Sequence, residues 1–596
     1  MFVQSRPEPA VLTARGSFIA LACCAILLPL WTMTLFGRGL WTPDEPREAD
    51  ISWRMSIQPA RAIPQLAGQP FLEKPPLAYW AAAAAESLLP AHDSALRAPN
   101  LLYAAVSLGA IVLLAYELGG AVVAWFAGLA SASFLLALQV TSWLATDAAM
   151  MAGVTVAMLG FHAGLNASGR RAKLVWYALM HSGLAWAFMA KGPAGWLVPG
   201  LAAVGFIAFE RRWRELLRWE LWVGALIPAC VIGAWLVAVA RSFEGTRALS
   251  VLLWSNVAGR AVVLHSTDAA SYANGHRNWP GKYLIELPLY LLPWTFLFVA
   301  ALKCAWSAAR SPDGAPWRLA LCALILPLLV LSVAATARGI YAAPLLPAAA
   351  LLIGLWATQR VFDPDSFDRR MIKATLWLVA FVTFALFVAT ALIASADAAA
   401  LRFWPVAAAG AIATLLALRF AFRELRREAW PRGIAATFAA FVLTLLTTSV
   451  AVFPAMDGWQ DLGSLAREID HDVGTRSLAA YAPDETIVAV LDRTLAHRPR
   501  DFARPANISA ARALLDAKDP PLFLVRLPGM GAGPVLERLK SLGVKLRPPR
   551  DAAALNDLTT GLGLVVEHVY ELPQGRRYAL LSRPAAEPAL LGDAGT

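Results

Sequence analysis

Long apolar segments constrain this chain more than any other feature. About thirteen runs approach the roughly 20 residues that an α-helix needs to cross a ~30 Å hydrocarbon layer. The chain is 58% hydrophobic and only 16% charged, whereas soluble domains carry about a quarter charged residues. The sequence therefore predicts an all-α polytopic membrane protein. The predicted spans are 17–36, 99–117, 121–138, 147–166, 174–190, 194–209, 219–240, 281–302, 316–335, 341–357, 372–394, 402–420 and 434–453.

Basic residues mark one side of this membrane domain. Under this threading the arginine-rich loops fall on a single side, which the positive-inside rule assigns to the cytoplasm together with the N-terminus. The net charge of +11 then reflects topology, and no nucleic-acid partner is expected. The opposite side receives loops 37–98 and 241–280 and everything after about 454. The basic loops are 169–173, 210–218, 303–318, 368–373 and 419–432.

The tail differs in composition from the sequence before it. Charged residues return, and short β-like runs alternate with helical patterns. We expect a membrane domain over 1–454 and a small soluble α/β domain outside the cytoplasm over 455–596. The glycine-rich segment 529–534 lacks the spacing of a phosphate-binding loop and indicates a plain turn. The β-like runs are TIVAV (486–490), PLFLVRL (521–527), LVVEHVYEL (564–572) and RRYALLS (576–582).

The first external loop, 37–98, places charged residues directly beside the membrane. Asp44 and Glu45 precede Pro46, which favours a helix start, because proline suits the first turn and carboxylates favour its free N–H groups. Capping of a surface helix is therefore one interpretation. A functional site is the other, because ionised groups at a membrane face usually serve a function. Arg47, three residues after Asp44, would share its helix face.

A second acid–base pair, Glu73 and Lys74, follows in FLEKPP (71–76). Two prolines fix the backbone directly after Lys74. Arginine and lysine side chains bind phosphate groups, so the loop is suited to a phosphate-bearing lipid with a carboxylate near the reacting carbon. The apolar run 77–90 is short for a span and favours a re-entrant or interfacial helix.

Three segments together resemble a known family. They are DEPREADISWRM (44–55), IPQLAGQPFLEKPPLAYW (63–80) and AKGPAGWLVP (190–199). The sequence is similar to the aminoarabinose (4-amino-4-deoxy-L-arabinose) lipid A transferases and their relatives among the protein O-mannosyltransferase-like, GT-C type membrane glycosyltransferases. The similarity extends over the membrane part and is densest at residues 40–80. It implies a glycosyltransferase domain whose catalytic loop is 37–98.

The resemblance also implies roles for individual residues. Asp44 matches the catalytic carboxylate of the family, with Glu45 beside it, and Asp147 matches a second acid at the membrane face. The residues implied to bind the donor phosphate are Arg47, Lys74, Arg260 and Tyr341. Further candidates are Glu48, Glu73, Lys191, His276 and Arg338. In ARGIYAAPLLP (337–347), Arg338 stands where the family usually has lysine, and the spacing differs, which affects the expected head-group specificity.

Each of several candidates also has an ordinary structural interpretation. Asp147 could cap its helix, and Lys191 could be an interfacial lysine whose stem lies along apolar surface. His276 could be an ordinary loop histidine, and Arg260 a solvated loop charge. No cofactor is required, and a divalent metal ion at Asp44, Glu48, Asp147 or His276 is compatible with the loops, although no ligand spacing demands one.

The function implied is an inverting transfer of an aminoarabinose-like sugar from a polyprenyl-phosphate carrier to lipid A or another envelope acceptor. The protein would lie in the bacterial inner membrane, in contact with its lipids, and act on the periplasmic face. Protein hydroxyl groups are an alternative acceptor. A transporter or flippase for a lipid-linked sugar is another possibility, although such proteins place ionisable residues near mid-membrane. A non-catalytic sensor that works through its tail is the third alternative.

Overall fold

The computed structural model describes residues 9–36, 38–58, 62–89, 93–242, 245–252, 278–279, 281–334, 336–396, 404–460, 462–497, 502–527, 553–572 and 576–584. The chain divides into two compact units. The larger unit comprises residues 1–38, 51–391 and 401–451, and the smaller comprises 39–50, 392–400 and 452–596. The predicted loop 37–98 is thus shared between the two units.

Helices account for most of the described residues up to Gln460. In chain order the α-helices are α1 Pro9–Leu35, α2 Asp44–Ile57, α3 Leu77–Leu88, α4 Asp93–Arg97, α5 Pro99–Gly119, α6 Ala121–Ser133, α7 Leu135–Ser142, α8 Asp147–Asn166, α9 Arg170–Lys191, α10 Ala194–Phe209, α11 Trp219–Val223, α12 Leu226–Ala240, α13 Gly245–Ser250, α14 Lys282–Tyr290, α15 Thr295–Ala308, α16 Ala315–Val333, α17 Leu346–Arg360, α18 Ser366–Ala396, α19 Trp404–Arg426 and α20 Trp430–Gln460. Two 3₁₀ helices, Trp213–Leu217 and Gly339–Leu345, connect neighbouring helices.

Many of these helices are membrane-capable. Among the described residues, nine helices are long and apolar enough to cross a membrane, and two bent pairs raise the number to as many as 11. The predicted polytopic helical fold is confirmed, whereas the count of thirteen stays a prediction. The two remaining predicted spans correspond to α9, which carries four basic residues, and to the 16-residue α10.

Burial differs sharply between helices of the larger unit. In the most apolar stretch of α8 and of the segment Gly339–Arg360, 89% of the residues are buried, whereas the share is 17% in α18 and in α19. Large apolar side chains on α18 and α19, such as Phe384 and Leu416, are exposed. This pattern is expected of a bundle whose central helices are covered by protein and whose outer helices face lipid.

Two predicted spans are broken rather than straight. The pair α6 and α7 bends by 59°, and the pair α14 and α15 bends by 117°. The two breaks supply hydrogen-bond partners to each other. The Leu135 N–H donates to the Leu292 carbonyl at 2.9 Å, and the Trp294 indole N–H donates to Ser133 Oγ at 2.8 Å. Non-helical backbone inside a membrane bundle requires such partners.

The smaller unit contains a four-stranded sheet. The larger unit contains the hairpin strands β1 Gln65–Leu66 and β2 Gln69–Pro70. The strands of the sheet are β3 Leu478–Tyr481, β4 Leu522–Arg526, β5 Val565–Glu571 and β6 Arg577–Ser582, in the order β3-β4-β6-β5. Strands β3 and β4 are parallel, whereas β4–β6 and β6–β5 are antiparallel. The helices α21 Leu462–Val473, α22 Glu485–Thr494, α23 Ile508–Leu515 and α24 Ala553–Leu562 accompany it. Phe523, Leu558 and Leu581 belong to its buried core.

The tail sequence predicted three of these strands correctly and one wrongly. The runs 521–527, 564–572 and 576–582 contain β4, β5 and β6. TIVAV (486–490) is not a strand but lies in α22, because Asp484 caps that helix by accepting a hydrogen bond from the Ile487 N–H at 3.0 Å. Strand β3 was not predicted, and the segment 529–534 lies outside the described residues.

Candidate active site

The acidic sequence after α1 forms the start of a helix, as predicted. Helix α2 begins at Asp44, and Asp44 and Glu45 lie in its first turn, where the helix dipole favours negative charge. Glu45 also closes the turn before it. Its Oε2 accepts from the Trp41 N–H at 2.8 Å, and its own N–H donates to the Trp41 carbonyl at 3.3 Å. Glu45 therefore has a capping contact, and its catalytic role stays a prediction.

The other charged residues near the start of α2 are also largely enclosed. Glu45, Glu48 and Asp50 are buried, whereas Asp44 is partly exposed. Arg47 lies one turn after Asp44 and forms an ion pair with Glu485, with Nη2 and Oε2 2.9 Å apart. These contacts hold the helix end that presents Asp44. A catalytic carboxylate must be held in position in this way.

Lys74 follows a short hairpin in the larger unit. Strands β1 (Gln65–Leu66) and β2 (Gln69–Pro70) pair antiparallel across a two-residue turn in which Ala67 and Gly68 both have positive φ, 53° and 77°. Two positive φ values are typical of a type I′ turn, which closes such hairpins. The hairpin delivers the chain to Glu73 and Lys74, and Lys74 Nζ lies 5.9 Å from the centre of the Phe71 ring.

Asp147 and Lys191 meet at the ends of two packed helices. Asp147 is the first residue of α8, and Lys191 is the last residue of α9. Lys191 Nζ donates to Asp147 Oδ1, and the two side chains are only 11% and 4% exposed. Lys191 Nζ also lies 5.1 Å from the centre of the Tyr341 ring. The two side chains are thus paired with each other, and their catalytic or structural roles stay predictions.

Other predicted basic residues lie near the same pair. The charges of Lys74 and Arg338 both act on the Lys191 ammonium, in addition to that of Asp147. The segment that carries Lys74 lies close to the turn after Lys191, because a Cβ built on Gly192 would lie 3.9 Å from Pro75 Cδ. We call Lys74, Asp147, Lys191, Arg338 and Tyr341 the basic cluster. It combines three cationic side chains with one carboxylate and one phenol, a composition that suits an anionic ligand such as a phosphate.

Helix α14 supports the segment that carries Arg338 and Tyr341. The Tyr283 hydroxyl donates to the Arg338 carbonyl at 3.2 Å, and Lys282 Nζ donates to the Ala337 carbonyl at 3.1 Å. Gly339 packs against Tyr290, since a Cβ there would lie 2.4 Å from the Tyr290 hydroxyl. Sequence reasoning missed Lys282, Tyr283 and Tyr290. Lys282 and Tyr283 lie in GHRNWPGKYL (275–284), the segment that also contains the predicted site residue His276.

Some predicted residues remain untested by the structure. Arg260 and His276 lie outside the described residues. Glu73 is partly buried beside Lys74. Within the described part of the chain, no group of three or more His, Cys, Asp or Glu side chains is arranged to hold a metal ion. Metal binding that involves Asp44, Asp147 or His276 stays a prediction.

Comparison with known proteins places these residues in a family context. The model of the dolichyl-phosphate-mannose-protein mannosyltransferase family (PMT_2) matches residues 73–238, which include Lys74, Asp147 and Lys191. The undecaprenyl phosphate-alpha-4-amino-4-deoxy-L-arabinose arabinosyl transferases of Pseudomonas paraeruginosa and Pseudomonas aeruginosa are each 30% identical over 57% of this chain. These matches span 60% of the length of each relative. A relative from Sodalis glossinidius is 27% identical over 75% of this chain and 78% of its own length.

The fold is similar to that of a solved structure. The crystal structure of ArnT from Cupriavidus metallidurans bound to undecaprenyl phosphate superimposes with a TM-score of 0.67 and 19% identity. The superposition covers 94% of this chain and 97% of that one. The family resemblance expected from residues 40–80 is therefore confirmed: this multi-pass membrane protein is similar in sequence to the undecaprenyl phosphate-aminoarabinose arabinosyl transferases and in fold to the ArnT structure.

Proposed function

We propose that the protein is a glycosyltransferase that moves an aminoarabinose-like sugar from a polyprenyl-phosphate carrier to lipid A or a related envelope acceptor. The observation that carries this proposal is the basic cluster, in which Lys74 and Arg338 act on a buried Lys191–Asp147 pair beside Tyr341. A polyprenyl phosphate becomes more negative at its phosphate as the sugar leaves. Cationic groups fixed at that position stabilise the transition state more than the ground state.

The proposed division of labour follows from the chemistry of each group. Arg47, Lys74, Arg260 and Tyr341 hold the carrier phosphate and offset its growing charge. Asp44 orients or deprotonates the acceptor, or stabilises the oxocarbenium-like sugar. An acceptor that is itself a phosphate is already anionic and requires little base catalysis. With lipid A, Asp44 would therefore act mainly on the sugar.

The same proposal fixes the orientation. The basic loops 169–173, 210–218 and 368–373 lie on the cytoplasmic side together with the N-terminus. The tail, 455–596, lies in the periplasm. Carrier-linked sugars suit this face, because nucleotide sugars are made and used in the cytoplasm. The relatives named as undecaprenyl-phosphate-dependent arabinosyl transferases support both the carrier and the sugar.

Mass spectrometry of lipid A tests the proposal directly. A host that makes the lipid-linked aminopentose but lacks its own transferase would carry wild type, Asp44→Asn, Asp313→Asn or no copy. Asp313 is an exposed residue of the loop after α15 and serves as the matched control. We expect lipid A to gain the mass of an aminopentose only in the strains that carry wild type or Asp313→Asn. If all variants are expressed equally and wild type adds no aminopentose to lipid A, lipid A is rejected as the acceptor.

A protein O-glycosyltransferase is the second candidate function. It is favoured by the match of residues 73–238 to the dolichyl-phosphate-mannose-protein mannosyltransferase family. The same strains separate the two functions, since envelope proteins digested to peptides would carry the sugar only if a hydroxyl-bearing side chain is the acceptor. Sugar on peptides with unmodified lipid A would replace the first candidate by the second.

A further inference from the structure

The end of helix α20 forms a row of contacts with the loop that precedes α2. Phe453, Asp457 and Gln460 are spaced by four and three residues, so they share one face of that helix. The ring of Phe453 meets that of Trp41 edge to face, with centres 5.3 Å apart. We call the face Phe453–Asp457–Gln460 and its partners in loop 39–42 the clasp. All of it lies within the smaller unit.

One carboxylate oxygen carries most of the polar contact in the clasp. Asp457 Oδ1 accepts from the Gly39 N–H at 3.0 Å and from the Trp41 indole N–H at 2.7 Å. Gln460 Oε1 accepts from the Thr42 hydroxyl at 2.6 Å. Hydrogen bonds to a charged acceptor are about twice as strong as those between neutral groups. Three donors of a four-residue loop are thus fixed by two side chains of one helix face.

The fixed loop leads immediately into the first turn of α2. Asp44 follows Thr42 by two residues, and Trp41 exchanges hydrogen bonds with the backbone and side chain of Glu45. A displacement of loop 39–42 must therefore move the residue that starts the helix. Because a reacting group displaced by about 1 Å can cost roughly 100-fold in rate, the position of this loop matters for any chemistry at Asp44.

We propose that Asp457 and Gln460 are positioning residues for the transfer reaction, which hold loop 39–42 and thereby aim the carboxylate of Asp44. This inference rests on the proposed function, because it assigns Asp44 to the reacting sugar or acceptor. It gives the segment that opens the tail a role in catalysis without any contact to substrate. The alternative is that the same contacts only stabilise the fold.

Steady-state kinetics of the purified full-length protein separate the two roles. We expect Asp457→Ala to lower kcat by about 100-fold, with a smaller change in the KM for the lipid-linked donor, because other residues hold the donor phosphate. Asp457→Asn keeps the accepting oxygen and should retain activity within about fivefold of wild type. Gln460→Glu should do the same for the Thr42 contact. Asp516→Ala, which removes an exposed acid of the same unit, is the control.

Hydrogen exchange measured by mass spectrometry provides a readout that does not depend on substrate. The amide of Gly39 should exchange faster in Asp457→Ala than in wild type, whereas Asp516→Ala should match wild type. If Asp457→Ala does not fold, Thr42→Val, which removes the hydroxyl that donates to Gln460 and keeps the side-chain shape, tests the positioning role through kcat instead. It should lower kcat by a smaller factor and leave the melting temperature unchanged.

The possible results lead to different conclusions. Faster exchange together with a fall in kcat that Asp457→Asn restores supports the positioning role. Faster exchange with wild-type kcat overturns it and leaves a purely structural contact. Unchanged exchange in Asp457→Ala overturns the clasp itself. Failure of wild type to transfer any sugar overturns the proposed function, and with it the catalytic role of the clasp, while the exchange experiment still decides whether the contact exists.

Discussion

The ammonium of Lys191 and the carboxylate of Asp147 form a buried ion pair that joins the end of α9 to the start of α8. Removing one partner of such a pair leaves an uncompensated charge, which costs about 3–5 kcal/mol, whereas removing both charges costs far less. The pair is also part of the basic cluster, so its two members contribute to the proposed phosphate site as well as to folding. These contributions can be separated.

The first prediction concerns this pair. Asp147→Asn and Lys191→Met should each lower the melting temperature of the purified protein and abolish sugar transfer. The double variant should recover most of the stability but none of the activity. The control is the largely exposed pair Arg369–Glu428, whose disruption by Glu428→Gln should cost less than about 1 kcal/mol. Recovery of activity in the double variant would assign the pair to folding alone.

Lys74 provides the second prediction. If its ammonium holds the carrier phosphate, Lys74→Ala should raise the KM for the lipid-linked donor by about tenfold to 100-fold, because a hydrogen bond to a charged group is lost. The KM for the acceptor should change little. Lys74→Arg keeps the charge and should retain part of the donor affinity. Initial rates measured over both substrates decide the matter, and a change confined to the acceptor would contradict the phosphate role.

The third prediction concerns the support of Arg338 and Tyr341 by helix α14. A methyl group on Gly339 would lie 2.4 Å from the Tyr290 hydroxyl oxygen and 3.1 Å from its Cζ. Gly339→Ala should therefore push the segment 338–341 away and raise the donor KM by about tenfold, as expected for an overpacked site. Tyr290→Phe removes the clashing oxygen. The double variant should recover donor affinity, and an unrelieved defect would place the strain elsewhere.

The sequence indicates individual candidate residues but not their contacts. Asp147, Lys191, Lys74, Arg338 and Tyr341 are each candidates by residue type and motif, but the Asp147–Lys191 pair joins positions 44 residues apart and no local pattern encodes it. The family motif identified residues whose types suit phosphate chemistry. Which of them meet depends on helix packing, and that follows from contacts distributed over the whole bundle.

The prediction of helix or strand was correct where the apolar run was long and wrong where one run was short. The long apolar runs of the membrane domain correctly predict helices. TIVAV (486–490) was predicted as a strand because a short apolar run does not distinguish strand from helix. It is helical, with Asp484 as the N-cap of its helix. Breaks in α6–α7 and α14–α15 were missed for a related reason. The Leu135–Leu292 backbone hydrogen bond that satisfies them joins distant segments.

Glu215 leads to a prediction about pH. It accepts hydrogen bonds from Lys173 Nζ at 2.7 Å, the Tyr177 hydroxyl at 2.8 Å and Arg218 Nε at 2.9 Å. Burial acts to raise the pKa of Glu215, but the hydrogen bonds from Lys173 and Tyr177 outweigh it, so the pKa lies below its ordinary value of 4.5. A lowered pKa means that the carboxylate contributes stability above pH 4.5 and loses it as the pH falls further.

The fourth prediction follows from that sign. Glu215→Gln should destabilise the protein at pH 7 by about 2 kcal/mol, and the difference from wild type should shrink as the pH falls below about 4.5. Thermal unfolding in detergent from pH 7 down to about pH 3 measures it, because the loss occurs below the ordinary pKa of the carboxyl group. Glu428→Gln, at an exposed acid 3.8 Å from Arg369, is the control and should have little effect at any pH. A difference that stays constant with pH would show that the charge of Glu215 is not what stabilises this loop.

The fifth prediction concerns the close packing of α8 on α9. Cβ atoms built on Gly153 and Gly160 would lie 2.6 Å from the Ala187 nitrogen and 2.4 Å from the Met180 nitrogen, so only glycine allows the two backbones to approach this closely. Gly160→Ala must separate the helices and should lower the melting temperature markedly.

A matched substitution separates packing from helix propensity. Alanine is favoured over glycine inside a helix by up to about 1 kcal/mol, and a Cβ on Gly109 of α5 would meet nothing within 4 Å. Gly109→Ala should therefore leave the melting temperature unchanged or raise it, while Gly160→Ala lowers it. Because Asp147 begins α8 and Lys191 ends α9, separation of these helices should also reduce sugar transfer. Equal stability of the two variants would mean that the α8–α9 interface tolerates the added methyl group and that its glycines do not fix the position of the Asp147–Lys191 pair.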